Sequence, residues 1–156
     1  MKNKLKLLYW LPAVVMMILI FQFSTANGEQ SSGLSLGITQ NIINTVTSLA
    51  NIDLTPGEKL SILESIHKPI RKLGHLTEYT LLAITVAFPL YALHQKRRWN
   101  LLFWCDGICI LYACSDEFHQ LFVPERSGQI TDVLIDSIGI TFGLLIFYLL
   151  HKACNK

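Results

Sequence analysis

Four mostly apolar stretches divide this chain: Leu7 to about Phe23, about Leu73 to Leu93, Leu101 to about Phe118, and about Val133 to Leu150. A helix needs about 20 such residues to cross a bilayer. Lipid offers a bare backbone no hydrogen bonds, so each stretch is expected as a helix. The expected fold is all-α: one membrane domain over 1–156 with four transmembrane helices. Charge agrees, since only 15% of residues are charged against about 25% in soluble domains. The formal net charge of +2, without a basic stripe interleaved with aromatics, argues against nucleic acid as a partner.

Orientation follows from lysine and arginine. Lys2, Lys4 and Lys6 precede the first stretch, Lys96, Arg97 and Arg98 separate the second from the third, and Lys152 and Lys156 follow the fourth. With four crossings these groups share one side, so both termini are expected in the cytoplasm. Trp10 and Trp99 then sit near that boundary. Of the eleven acidic residues, all but Asp106 fall on or at the edge of the other side. Lys59, Lys68, Arg71, Lys72 and Arg126 are mixed with them. The lysine-rich start, the apolar run and Ser24-Thr25-Ala26 also have the form of a cleavable secretory signal. The run is long for one, so retention is expected.

Ser24 to Gly37 reads as a polar loop. Ile38, Ile42, Ile43, Val46 and Leu49 recur at helical spacing and predict a short amphipathic helix. Thr55-Pro56-Gly57-Glu58 opens a second one with a capping box and proline at the first position. Pro69 is expected to end it. Cys105, Cys109, Cys114 and Cys154 contain no C-x-x-C pair and are expected as small apolar residues.

Charges at membrane depth are costly, and each asks for a reason. Three clusters fall at one expected depth. Lys72, His75, Glu78 and Tyr79 share one helix face, with Glu78 about 9 Å along the axis from Lys72. Asp116, His119 and Gln120 share another, from which Glu117 is turned by about 100°. Asp132 and Asp136 lie one turn apart, and Gly139 and Gly143 continue their face as a G-x-x-x-G pair that admits a close helix. Asp136 is the deeper carboxylate. Lys72, His75, His119 and Arg126 are its candidate partners.

Asp116-Glu117-Phe118-His119-Gln120, then Phe122-Val123-Pro124, Arg126-Ser127-Gly128 and Asp132, resemble the signature of the VanZ-like family. Lys72-Leu73-Gly74-His75-Leu76-Thr77-Glu78-Tyr79 resembles its second-span motif. Phe23-Ser24 with Ser31, Ser32 and Ser35 is similar to its first loop. Glu125 stands where that pattern has Gly, and Asp136 where it has Asn. The resemblance covers nearly the whole chain. It implies a multi-span bacterial inner-membrane protein of a family named for association with resistance to the glycopeptide teicoplanin. It implies no particular reaction.

Two functions fit. In one, the site acts on a membrane lipid or lipid-linked cell-wall ligand at the outer face. In the other, it binds or senses such a ligand, or a glycopeptide, without turnover. The candidate catalytic residues are His75, Glu78, Asp116, Glu117 and His119, with His75 or His119 as general acid or base. The candidate ligand-binding residues are Lys72, Tyr79, Gln120, Arg126, Asp132 and Asp136. Arg126 and Lys72 suit a phosphate or carboxylate. A third possibility is a salt-bridged plug that only holds the helices in register. No cofactor is expected. A metal on His75, Glu78, Asp116 and His119 is disfavoured, for no H-E-x-x-H pair is present. Nor is there a phosphate loop, nucleophile elbow or nucleotide fingerprint.

Overall fold

The computed structural model describes residues 6–25, 28–94, 98–124, 126 and 128–154. Lys2, Lys4, Ala26, Lys96, Arg97, Glu125, Ser127 and Lys156, which enter the sequence argument, lie outside the described residues. So do the side chains of Ser31, Ser32, Ser35, Arg98 and Trp99.

Among the described residues the chain is helical and has no strand. After a short 3₁₀ turn at Leu8–Trp10 come α1 (Leu11–Thr25), α2 (Gly28–Ala50), α3 (Pro56–His94), α4 (Arg98–Gln120) and α5 (Ile130–Cys154).

Two sequence expectations need correction here. Most of the expected loop between Ser24 and Gly37 is helical, because α2 starts at Gly28. Pro69 does not end a helix; it lies inside α3, as does Pro89. An internal proline forfeits one backbone hydrogen bond. Here the helix packs on α2, α4 and α5, and that packing carries it through. The start of α3 is the expected capping box: the backbone N–H and hydroxyl of Thr55 lie 2.8 and 2.7 Å from a Glu58 carboxylate oxygen. Asn51 links α2 to α3 in a left-handed conformation (φ 51°), which asparagine tolerates.

The helix pairs fix the topology. α3 runs parallel to α5: Lys72 meets Asp132, Leu76 meets Gly139, and Thr80 meets Gly143. α4 returns antiparallel between them, with the Cys105 thiol 3.4 Å from the Ala83 carbonyl and Tyr112 beside Tyr79. α1 is antiparallel to α3, placing Tyr9 against Phe88 and Phe21 against His119 of α4.

Small residues set these distances. A Cβ on Gly139 would fall 2.5 Å from the Leu76 carbonyl oxygen, and one on Gly143 would fall 2.3 Å from that of Thr80. The core joins Tyr79, Leu82, Ala83 and Val86 to Cys105, Cys109, Ala113, Ile140 and Leu144, with Ala13 and Ile20 added by α1. Cys105 and Cys109 are buried free thiols, as expected for small apolar packing residues. Phe103, Leu111, Ile138 and Phe142 point outward and are exposed.

Among the described residues, three helical stretches are long and apolar enough to cross a membrane: Leu8–Thr25, Pro56–Leu93 and Ile130–Cys154. The expected four are thus three by composition. The third expected crossing, from Leu101 to Phe118, falls within α4. That helix is long enough, but Asp106, Asp116 and Glu117 lower its apolar character. At 38 residues, Pro56–Leu93 is about 57 Å long, nearly twice a hydrocarbon core of about 30 Å. Its first half therefore extends past the bundle, alongside α2.

Candidate functional site

The polar residues gather at the end of the bundle where α4 closes, α5 opens and α3 passes its midpoint. Because α3 and α5 are parallel with glycine at their contact, equivalent turns face each other directly. This sets the Lys72 ammonium 3.9 Å from an Asp132 oxygen, and His75 Nδ1 3.7 Å from Asp136 Oδ1.

α4 brings the remaining acids from the opposite direction. Asp116 and Gln120 are one turn apart, and the Gln120 amide donates to Asp116 at 3.0 Å. Glu117 corrects the sequence reading, which turned it away from that face. It is only 5% exposed, and the backbone N–H of Gln129 donates to its Oε2 at 2.9 Å. Its other oxygen is buried without a hydrogen-bond partner. One ligand-capable atom each from His75, Glu117 and Asp136 lies within 4.8 Å of the others. Helical-wheel geometry misses this because the chain after Gln120 folds back over α4. Gly128 allows that approach, since a Cβ there would sit 2.3 Å from the Glu117 carbonyl oxygen.

Around this centre stand Glu78, Asp116 and Asp132, all near enough to act on Asp136 electrostatically. The fully buried Tyr79 is within reach of Asp116, Glu117 and Asp136. Arg126 lies in the α4–α5 loop, where its guanidinium donates to the Phe23 carbonyl of α1 at 3.0 Å. Burial, and then the positive charge of Arg71, pull Arg126 below its ordinary pKa, while Asp116, Glu117 and Glu78 oppose them. Arg71, counted in the sequence only among the basic residues of the outer side, joins the cluster electrostatically. It precedes Lys72 by one position, and its only signal was a basic residue bordering the motif.

His119 stands apart from the triple. Its ring packs on Phe21 at a centroid distance of 4.9 Å, so His75 is the histidine of the central group. The residues that come together with metal-ligand spacing are His75, Glu117 and Asp136, not the set of His75, Glu78, Asp116 and His119 that the sequence disfavoured. Both oxygens of Asp136, one each of Asp116 and Glu117, and the Tyr79 hydroxyl are buried without a hydrogen-bond partner. Buried polar groups are nearly always satisfied, so this concentration of bare oxygens at one bundle end is unusual.

The VanZ/LLP1 family model matches residues 9–151. The chain belongs to the VanZ/LLP1 family. The match runs from the turn before α1 to the last turn of α5 and includes every residue of the cluster. It supports a membrane protein of this family. No curated protein matches the chain, and no solved structure does.

Proposed function

We propose that this VanZ/LLP1 family member is a four-crossing protein of the bacterial plasma membrane. Its termini are cytoplasmic, its first helix is retained, and its polar cluster faces outward. There it binds or acts on a lipid-linked or cell-wall ligand through an anionic group. The parallel pairing of α3 and α5 supports the topology. Two parallel crossings joined by one helix require that helix to return through the membrane. α4 does so at tolerable cost, because Asp116 and Glu117 point inward at 4% and 5% exposure while Phe103, Leu111 and Phe118 face outward. Lys6 and Lys152 then lie on the cytoplasmic side.

The observation that carries the ligand class is the Arg126 guanidinium, held on the Phe23 carbonyl at 3.0 Å at the bundle end where the buried acids and His75 gather, with the charge of Arg71 acting on it. An anion relieves such a pair of cations, and guanidinium groups hold phosphate well. Lys72, half exposed, adds a third positive group at the rim. A phosphate-bearing lipid head group reaches this depth from the membrane itself. His75 stands below as the group able to move a proton.

Teicoplanin susceptibility of a deletion strain tests the envelope role. Wild type is expected to restore the parental susceptibility, and Arg126→Ala and His75→Ala are not, at equal protein levels. Restoration by both variants would show that the cluster serves only as a structural plug. No change on deletion would remove glycopeptide resistance from the role.

A further inference from the structure

We propose that His75, Glu117 and Asp136 form a binding site for one divalent transition-metal ion, of the zinc or manganese kind.

Geometry gives the first reason. His75 Nδ1 and Asp136 Oδ1 are 3.7 Å apart, beyond the roughly 2.7–3.2 Å of a direct hydrogen bond. Two donors on a tetrahedral ion, each about 2.1 Å from it, lie about 3.4 Å apart. A contraction of a few tenths of an ångström brings the pair onto an ion. Glu117 supplies the third donor within the same 4.8 Å limit, and it comes from a different helix. Three helices thus contribute one ligand each.

The second reason is what these side chains lack. Asp136 has no solvent exposure, yet neither of its carboxylate oxygens has a hydrogen-bond partner. Glu117 Oε1 and His75 Nδ1 are also buried and unpartnered. Burying a carboxylate with nothing to balance it is expensive, and coordination through one atom of each of the three residues offsets that cost.

Charge is the third. Glu78, Asp116, Glu117, Asp132 and Asp136 act on one another, giving five carboxylates. Arg71, Lys72 and Arg126 are the cations in range, giving three. With His75 neutral, as a metal ligand must be, the ionised cluster carries two surplus negative charges, which one divalent ion cancels. The imidazole in the set favours zinc and the two carboxylates beside it admit manganese, whereas magnesium and calcium are held by oxygen ligands. Three protein ligands leave a coordination position open, as in catalytic sites. Placing a phosphate oxygen at that position rests on the anion reading above. Ion binding itself does not, so the two fail separately.

The test uses the full chain purified in detergent and stripped with chelator. It is then dialysed against ZnCl₂ or MnCl₂ and analysed for bound metal by mass spectrometry. The expected result is one equivalent of at least one of these ions per chain. Asp136→Asn and His75→Gln are near-isosteric, and both are expected to weaken binding by more than about a hundredfold, since even outer-shell losses cost 10–100-fold. Glu117→Gln, which keeps an acceptor for the Gln129 N–H, is expected to do the same. Glu64→Gln, on the exposed first half of α3, is expected to retain the ion. Circular dichroism of each variant separates a lost ligand from a lost fold. Less than a tenth of an equivalent in the wild type would overturn the proposal. Full binding by folded Asp136→Asn and His75→Gln would overturn it equally.

Discussion

His75 of α3 and Asp136 of α5 face each other at 3.7 Å because glycines three and seven residues after Asp136 bring the two parallel helices into backbone contact. The relationship runs from sequence to chemistry in one step. A small-residue stripe sets the helix spacing, and that spacing sets the distance between a buried imidazole and a buried carboxylate. It also separates a structural pair from a binding site. A buried ion pair that holds helices together loses about 3–5 kcal/mol when one partner is removed. A carboxylate kept for a ligand costs stability, so neutralising it relieves the protein. Asp136→Asn is therefore expected to leave the unfolding temperature of the metal-stripped protein unchanged or raised. Tryptophan fluorescence during heating in detergent measures this. A fall of several degrees would place Asp136 in a structural plug.

Gly143→Leu is expected to lower stability and folded yield sharply. Even the first carbon of the new side chain would meet the Thr80 carbonyl oxygen at 2.3 Å. Overpacking usually costs about 1–3 kcal/mol, and here the opposing atom is backbone, which cannot rotate away. Gly107→Ala, where a Cβ meets nothing within 4 Å, is expected to be silent. Size-exclusion recovery of the two variants compares them. Equal recovery would mean that the helices can separate without loss.

The topology is expected to show in labelling of intact cells. In a background lacking the four native cysteines, Phe122→Cys is expected to react with a membrane-impermeant maleimide. Phe122 is 72% exposed in the loop assigned to the outside. Asn100→Cys, near the positive inner loop, is expected to react only after permeabilisation. The reverse pattern would invert the protein and place the cluster in the cytoplasm.

Much of this was legible in the sequence, for reasons that hold at particular residues. The glycine stripe at Gly139 and Gly143 and the Asp132–Asp136 face follow from helical periodicity, and so does the Asp116–Gln120 pair. The capping box at Thr55 and Glu58 is a local hydrogen-bond pattern and folds as such. Three features were not legible, because each depends on distant packing. Pro69 was expected to stop a helix, but tertiary contacts outweigh one missing backbone bond. Glu117 was assigned to a different face from Asp116, because periodicity knows nothing of the loop that folds back to place Gln129 on it. His119 resembled the central histidine through its neighbours, yet α1 brings Phe21 to cover it. The third apolar stretch, Leu101 to Phe118, lost its simple membrane character for a related reason. Two of the three acids that reduce its hydropathy, Asp116 and Glu117, turn inward.

The most direct measure of the central claim is the affinity of the detergent-purified full chain for a long-chain polyprenyl diphosphate, compared with the uncharged polyprenol of the same length. If the outward cluster recognises an anionic lipid head group, the diphosphate binds at least about tenfold more tightly, a preference worth about 1.4 kcal/mol. Folded Arg126→Ala then loses that preference while still binding the polyprenol. Equal affinity of the wild type for the two lipids, or a preference unchanged in Arg126→Ala, would contradict the account.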